Sequence, residues 1–283
     1  MEKDLKLSNG RTIPVLAYGT WLIPNEDAAE CVKNAIEAGY RHIDIAQAYG
    51  NEEGVGLGIK QSGIKREDIY ITTKVMAEFK SYEYAKMSIE DSLKRLGVDY
   101  VDLILIHCPQ PWKEFRGPKR YFEENREVWR ALEEAYASGK AKAIGISNFL
   151  IDDIQNIENH CKVKPMVNQI LCHIGNTPVD VIKYCQENGI VIEAYSPIAH
   201  GAALNNPNIK AMADKYHVSI AQLCIKYTLQ INTVSIPKAK SKQHIIDNIK
   251  LDFEISQEDM IELMKLNEMD YGEESFWPVF NKR

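Results

Sequence analysis

Eight short runs rich in β-branched residues recur along the chain, and longer stretches of helical pattern separate them. This alternation predicts parallel strands connected by helices, and eight such units form a (β/α)8 TIM barrel of about 250 residues. The 283 residues leave room for one such barrel with short extensions, so we predict an α/β fold with a single domain, 1–283. The predicted strands cover residues 16–19, 41–44, 69–74, 101–107, 142–147, 166–169, 191–195 and 233–237.

Further elements flank the predicted barrel at both ends. Ser8-Asn9-Gly10 separates the apolar runs 3–7 and 11–15, and Asn-Gly in this setting predicts a β-hairpin, which we expect to plug the bottom of the barrel. A C-terminal extension is predicted to contain two helices and an aromatic tail at 276–280. The predicted helices cover residues 27–38, 82–96, 126–138, 178–188, 219–230, 242–249 and 257–267.

Composition and charge argue against several classes of protein. The net charge of -6 argues against a nucleic-acid partner or an anionic membrane surface, because both favour a basic face. No apolar run approaches the roughly 18 residues of a membrane span, and the N-terminus lacks the pattern of a signal peptide. Six scattered cysteines form no Cys-x-x-Cys pair and no ligand cluster with histidine, so we expect reduced thiols and no metal site. These features predict a cytoplasmic protein.

Four polar residues stand at or just after the ends of three different predicted strands: Asp44, Tyr49, Lys74 and His107. Taken singly, each is more often a cap, a solvated side chain or a packing residue. Together they suit the reduction of a carbonyl group, which needs an acid near the developing alkoxide. Tyr49 is the predicted acid, and Lys74 would favour its phenolate form. Asp44 would neutralise and orient Lys74, while His107 would donate a hydrogen bond to the carbonyl oxygen.

The strings that contain these residues resemble the aldo-keto reductase family. They are His42-Ile-Asp-Ile-Ala-Gln-Ala-Tyr-Gly-Asn-Glu52, Ile71-Thr-Thr-Lys74 and Leu103-Ile-Leu-Ile-His107. The resemblance implies the same barrel, the same catalytic roles for Asp44, Tyr49, Lys74 and His107, and reduction of aldehydes or ketones to alcohols. The expected partner is a small carbonyl substrate, and we expect the protein to act as a monomer.

The second half of the chain resembles the family's nicotinamide-dinucleotide site. Ser147, Asn148 and Gln169 can hold a carboxamide, and Tyr195 offers a ring for stacking on a nicotinamide. Small residues from Ser196 to Ala203 would cover the pyrophosphate. Lys238, Lys240, Lys242 and His244 form a basic cluster that suits a 2'-phosphate, so NADPH is favoured and NADH remains possible. The resemblance implies cofactor contacts from Thr20, Trp21, Asp44, Ser147, Asn148, Gln169, Tyr195, Ser196, Pro197, Ile198, Ile236, Pro237, Lys238, Ala239, His244 and Asn248.

The predicted substrate contacts surround the same four residues. They are Trp21, Tyr49, His107, Cys108 and Trp112, and the tail aromatics at 276, 277 and 280 are further candidates. Aromatic walls favour apolar or aryl carbonyls. Cys108 stands where the family commonly has tryptophan, so we expect it to widen the pocket and to change substrate preference.

Two other classes of function remain open from the residues. A barrel of this kind can also serve as a catalytically weak sensor of nicotinamide cofactors or as a regulatory protein, because fold alone does not fix activity. A metal-dependent barrel hydrolase would need a ligand cluster that the sequence does not show. Gly54-Val-Gly-Leu-Gly58 lacks the full spacing of a dinucleotide loop and follows no strand directly, so we interpret it as helix packing.

Overall fold

The computed structural model describes residues 3–267 and 270–280, and its chain begins with a β-hairpin. Strands β1 (Asp4–Lys6) and β2 (Thr12–Pro14) pair antiparallel, and Gly10 in the connecting turn has a φ of +85°. Only glycine adopts that left-handed conformation without strain, which explains the Asn-Gly signal. Asn9 Nδ2 donates to the carbonyl of Lys142, at the start of a barrel strand, over 3.0 Å. The hairpin therefore covers the N-terminal end of the barrel, as predicted.

Eight parallel strands then pair in chain order and form one sheet. Its first and last strands meet through the Leu16–Ser235 bridge, and the amide of Ser235 donates to the carbonyl of Val15 over 2.8 Å. The predicted TIM barrel is thereby confirmed. The strands are β3 (Tyr18–Gly19), β4 (His42–Asp44), β5 (Tyr70–Val75), β6 (Val101–Ile106), β7 (Ala141–Ser147), β8 (Val167–Leu171), β9 (Val191–Tyr195) and β10 (Val234–Ile236).

Ten α-helices of the described chain surround or extend the barrel. The seven predicted helical stretches are present with ends shifted by a few residues. Of the other three helices, the one at 52–62 was indicated only by its glycine string, and those at 151–158 and 207–215 were not predicted. The helices are α1 (Asn25–Ala38), α2 (Glu52–Ser62), α3 (Tyr82–Leu96), α4 (Phe122–Ala137), α5 (Ile151–Glu158), α6 (Val179–Glu187), α7 (Pro207–Lys215), α8 (Ile220–Gln230), α9 (Lys242–Asp247) and α10 (Gln257–Lys265). None of the helices within the described ranges is long and apolar enough to cross a membrane.

The glycines of α2 let neighbouring backbones approach closely. A Cβ atom on Gly54 would lie 2.2 Å from the carbonyl oxygen of Asn25 in α1, and one on Gly56 would lie 2.3 Å from that of Leu96 in α3. Neither position has space for a side chain, because real Cβ contacts are not shorter than about 3 Å. The glycine string is therefore a helix-packing device, as predicted from its spacing.

The hydrophobic core lies between the barrel and its helices, and a second apolar cluster joins α7, α8 and α10 to the C-terminal tail. Its tail members are Tyr271, Trp277 and Phe280. Because these residues pack at the C-terminal end of the barrel, the extension helps to build the end of the barrel where (β/α)8 enzymes hold their active sites.

Candidate active site

Asp44, Lys74 and Tyr49 form a hydrogen-bonded group at the C-terminal ends of neighbouring strands. Asp44 ends β4 and Lys74 lies near the end of β5, so the parallel pairing of these strands brings the two side chains together. Lys74 Nζ lies 2.7 Å from Asp44 Oδ1, 2.9 Å from the carbonyl oxygen of Ile45 and 3.2 Å from the Tyr49 hydroxyl. The ammonium therefore has three oxygen partners while it is fully buried.

Burial and neighbouring charges shift the pKa values of Lys74 and Tyr49 in opposite directions. Burial lowers the pKa of Lys74, but the charges and hydrogen bonds of Asp44 and Tyr49 outweigh it and raise that pKa above its ordinary value. Lys74 is therefore a stable cation. Burial raises the pKa of Tyr49, and the neighbouring ammonium offsets only part of the rise. Tyr49 thus holds its proton at neutral pH, with a cation in place to stabilise the phenolate if that proton leaves.

His107 follows β6 and faces the same space. Its ring centre lies 5.7 Å from that of Tyr49, in an edge-on arrangement, and it is almost fully buried. Burial, and then the charges of Lys74 and Lys80, lower the pKa of His107 well below its ordinary value. The imidazole is therefore neutral. Nδ1 is buried and has no hydrogen-bond partner in the described part of the chain, while the ring lines the cavity.

A cavity of about 1050 Å³ opens beside Asp44, Tyr49 and His107 and crosses the C-terminal end of the barrel. Ser147, Asn148, Gln169 and Tyr195 line it. The donors of Asn148 are committed to the carbonyl of His107 and to Ser147 Oγ, and its Oδ1 accepts from the Tyr195 hydroxyl over 2.7 Å. Asn148 also has a φ of +64°, a left-handed conformation that asparagine tolerates better than most residues.

The far end of the cavity holds the predicted basic cluster. Lys240 Nζ pairs with Asp27 at 2.8 Å and Lys242 Nζ with Glu37 at 3.3 Å, so acidic partners balance both charges. Lys238 and His244 line the cavity. Burial, and then the charge of Lys240, lower the pKa of Lys238. Fewer basic side chains are therefore available to bind an anionic group than the run of basic residues suggested.

Nearly all the predicted cofactor residues line this one cavity, and Thr20 is the exception. Its side chain is fully buried, and its Oγ1 donates to the carbonyl of Asp44 over 2.9 Å. Gly19 and Trp21, on either side of it, line the cavity and Thr20 does not. The cavity geometry therefore does not support the prediction of a cofactor contact by the Thr20 side chain.

Cys108 likewise lies outside the cavity wall. His107 lines the cavity, whereas the side chain of Cys108 is fully buried outside it. Trp112 supplies an indole wall, because it lines the cavity and its ring lies 5.1 Å from that of His107. The cavity geometry therefore does not support the prediction that Cys108 widens the pocket.

The C-terminal tail closes the opposite side of the mouth. Trp277 lines the cavity and lies 5.5 Å, between ring centres, from Trp21. Phe280 is buried behind them at 5.9 Å from Trp21, whereas Phe276 is mainly exposed. Of the three tail aromatics considered from the sequence, Trp277 is the one that forms part of the cavity wall.

Two features of the cavity were missed from the sequence. The first turn of α8, at 219–222, lines it, and the Ser-x-x-Gln spacing of its capping box marks a helix start that presents backbone amides. Glu193 on β9 is the second: it is fully buried and is linked to Asp44 through Gln169. The sequence signal that could have indicated Glu193 is a carboxyl group in the middle of an otherwise apolar strand.

The comparison with protein families shows to which family the chain belongs. The model of the aldo/keto reductase family matches residues 15–268. The chain belongs to the aldo/keto reductase family. It is 42% identical over 269 residues to the glyoxal reductase of Bacillus subtilis, covering 94% of each chain. It is 38% identical to the aldehyde reductase YPR1 of Saccharomyces cerevisiae, covering 94% of this chain and 91% of that protein.

Solved structures of aldo/keto reductases share the fold. An enzyme from Brucella melitensis has a TM-score of 0.86 at 37% identity and covers 93% of this chain and 98% of its own. An aldo/keto reductase from Bombyx mori, in complex with NADP, has a TM-score of 0.86 at 31% identity and covers 97% of this chain and 96% of its own. The protein is thus an NAD(P)H-dependent oxidoreductase of this family, whose named members include a glyoxal reductase and an aldehyde reductase.

The cavity of this aldo/keto reductase fits a nicotinamide dinucleotide. Its volume lies at or above the upper end of the range of about 300–1,000 Å³ typical of small-molecule sites. Gln169 Oε1 accepts no hydrogen bond from the described residues, and the cavity extends from Gln169 to the cations Lys238 and Lys240. Residues 3–267 and 270–280 contain no group of three or more His, Cys, Asp or Glu side chains that could hold a metal ion.

Proposed function

We propose that this aldo/keto reductase uses NADPH to reduce aldehydes or ketones to alcohols, with Tyr49 as the general acid. The observation that carries the proposal is the simultaneous contact of Lys74 Nζ with Asp44 and with the Tyr49 hydroxyl beside a cavity of sufficient size. When bound, the nicotinamide supplies a hydride to the carbonyl carbon.

Protein side chains supply the proton that must reach the carbonyl oxygen when the hydride reaches the carbon. Tyr49 gives its hydroxyl proton to the carbonyl oxygen, so the alcohol is formed and a phenolate remains on the enzyme. Lys74, at 3.2 Å, stabilises that phenolate, and Asp44 keeps Lys74 charged and in place. Neutral His107 donates a hydrogen bond to the same oxygen and fixes its position against Tyr49. Proton transfer of this kind contributes about 10²- to 10⁴-fold to rate.

The preference for NADPH is inferred from the far end of the cavity. Lys238 and His244 line the wall, and the first turn of α9 begins at the N-cap Ser241, whose Oγ accepts from the amide of His244. A 2'-phosphate could accept charge-assisted hydrogen bonds from these groups, whereas a 2'-hydroxyl would gain less binding energy from them. The complex of the Bombyx mori relative with NADP supports this choice.

The substrate end of the cavity favours compact or flat carbonyl compounds. Trp21, Trp112 and Trp277 line it together with Tyr49 and His107. The relative with 42% identity is a glyoxal reductase, so small dicarbonyl compounds join aryl aldehydes as proposed substrates.

The test is NADPH consumption with glyoxal, methylglyoxal and benzaldehyde, compared between the wild-type protein and Tyr49→Phe. We expect turnover by the wild type and a loss of roughly 10²-fold or more in kcat for the variant, with the dissociation constant for NADPH almost unchanged. Cofactor binding without turnover of any carbonyl by the wild type would refute the proposal and support the sensor or regulatory alternative.

A further inference from the structure

The side-chain amide of Gln169 lies between two buried carboxyl groups. Its Nε2 is 2.8 Å from Asp44 Oδ2 and 2.8 Å from Glu193 Oε2, so both N–H groups of the amide have an acceptor. Asp44 also accepts from Lys74 Nζ through its other oxygen, so it meets the amide as a hydrogen-bond acceptor. The amide nitrogen therefore faces the two carboxyl groups, and Oε1 points away from them.

The remaining atom of that amide is a hydrogen-bond acceptor at the cavity wall. Gln169 lines the cavity, and no described residue donates to its Oε1. Its neighbours are more fully engaged: Ser147 Oγ donates to the carbonyl of Gln169 over 2.9 Å and accepts from Asn148, whose two amide hydrogens are both used. Gln169 Oε1 is thus a fixed and unoccupied acceptor among the three residues expected to meet a carboxamide.

Glu193 has one hydrogen bond, to Gln169, among the described side chains. Its second oxygen, Oε1, lies 3.6 Å from His42 Nε2 and has no hydrogen-bond partner within the described residues. Nδ1 of His42 faces the carbonyl of Pro14 at 3.3 Å and so bears the proton, which leaves Nε2 to accept from the Thr72 hydroxyl at 2.8 Å. Burial lowers the pKa of His42, so this residue is neutral. Burial, and then the charge of Asp44, raise the pKa of Glu193, which keeps a second negative charge away from Asp44.

We propose that Glu193 is a positioning residue of the cofactor site: by holding the Gln169 amide, it fixes Oε1 as the acceptor for the NH2 group of a nicotinamide carboxamide. This inference rests on the proposed function, because that function supplies the ligand. With an apolar residue at position 193, one N–H of Gln169 loses its acceptor in a buried site. The amide then keeps Asp44 as its one remaining acceptor, and the direction of Oε1 is less tightly fixed.

The test compares two ligands that differ only at the group in question, NADP+ and its 3-acetylpyridine analogue, in which a methyl group replaces the carboxamide NH2. Both are titrated against the intrinsic fluorescence of the full-length wild type, Glu193→Met and Glu193→Gln. We expect the wild type to bind NADP+ about tenfold more tightly than the analogue, since an unpaired acceptor costs about 1–3 kcal/mol. Glu193→Met should lower this ratio, because only Asp44 then orients the amide. Glu193→Gln should keep it, because its side-chain oxygen can accept the same hydrogen bond.

Each other outcome overturns the proposal. A general structural role for Glu193 predicts that Glu193→Met weakens the binding of both ligands by the same factor, so an unchanged ratio would refute positioning through Gln169. If Glu193→Met does not fold, the wild type and Glu193→Gln still test the proposal, because equal affinity for the two ligands in either protein would refute it. Failure of the wild type to bind either ligand would instead refute the proposed function, and this inference with it.

Discussion

Lys74 Nζ lies 2.7 Å from Asp44 Oδ1, and neither side chain is exposed beyond a few per cent. The pair joins neighbouring strands at the end of the barrel where the Tyr49 hydroxyl completes the contact. Burial of two opposite charges is tolerated here because each has further partners: Ile45 and Tyr49 for the ammonium, and Gln169 for the carboxylate.

Lys74→Met should therefore lower stability as well as activity. Removing one member of a buried ion pair leaves an uncompensated charge, and the cost is about 3–5 kcal/mol. Urea unfolding without cofactor measures it. The matched control is the double variant Lys74→Met with Asp44→Asn, which removes both charges and should recover part of the loss. A single variant as stable as the wild type would show that the pair is not electrostatically coupled.

Lys238 and Lys242 are a matched pair of positions at which the preference for NADPH over NADH can be tested. Both belong to the basic run, but Lys238 lines the cavity, whereas Lys242 does not and pairs with Glu37. Lys238→Met should weaken NADPH binding about 10- to 100-fold, the value of a charge-assisted hydrogen bond, and should change NADH binding much less. Lys242→Met should change neither. Equal losses for both cofactors in Lys238→Met would argue against a contact with the 2'-phosphate.

Trp112 should control substrate size and Cys108 should not. The Trp112 ring lies against His107 on the cavity wall, whereas Cys108 is buried outside the cavity. Trp112→Ala should raise the ratio of kcat/KM for benzaldehyde to that for glyoxal by roughly tenfold, because it enlarges the pocket. Cys108→Ala should leave that ratio unchanged. A shift in the Cys108 variant of similar size would contradict the cavity geometry.

Gly56→Ala should destabilise the protein although alanine is the better helix former. Alanine gains about 1 kcal/mol in helix propensity, but its Cβ would lie 2.3 Å from the carbonyl oxygen of Leu96. Overpacking costs about 1–3 kcal/mol, so we expect a net loss in thermal unfolding. Leu57→Ala, on the exposed side of the same helix, should change the free energy of unfolding by less than about 0.5 kcal/mol. A more stable Gly56→Ala would remove the packing explanation.

The sequence predicted the fold because strand and helix periodicity are local properties, and because strand ends in a parallel barrel meet at one face. It therefore also predicted that Asp44, Lys74, Tyr49 and His107 would meet. It did not distinguish Cys108 from Trp112, or Thr20 from Trp21, because which side of the wall a residue faces depends on strand register and barrel closure. The role of Glu193 depends on the direction of the Gln169 amide, which no local pattern encodes.

Glu193 should make stability depend on pH between about 4.5 and 8. Burial, and then the charge of Asp44, raise its pKa from 4.5 to about 8. Between these values the folded chain keeps a proton that the unfolded chain has released, so the free energy of unfolding falls as pH rises. The slope from one such group is at most about 1.4 kcal/mol per pH unit, and the fall ends above pH 8.

Buried histidines act in the opposite direction near pH 6.5. Burial lowers the pKa of His42 to about 3 and that of His173 to about 4, and it lowers the pKa of His107 as well, so all three are neutral in the folded chain, whereas the unfolded chain loses these protons near pH 6.5. Comparison with Glu193→Gln, which cannot ionise, removes this contribution. Between about pH 6.5 and 8, the free energy of unfolding measured with urea should fall by about 1–2 kcal/mol more for the wild type than for Glu193→Gln. Parallel pH profiles for the two proteins would mean that Glu193 is ionised in the folded state, because its charge would then be the same before and after unfolding.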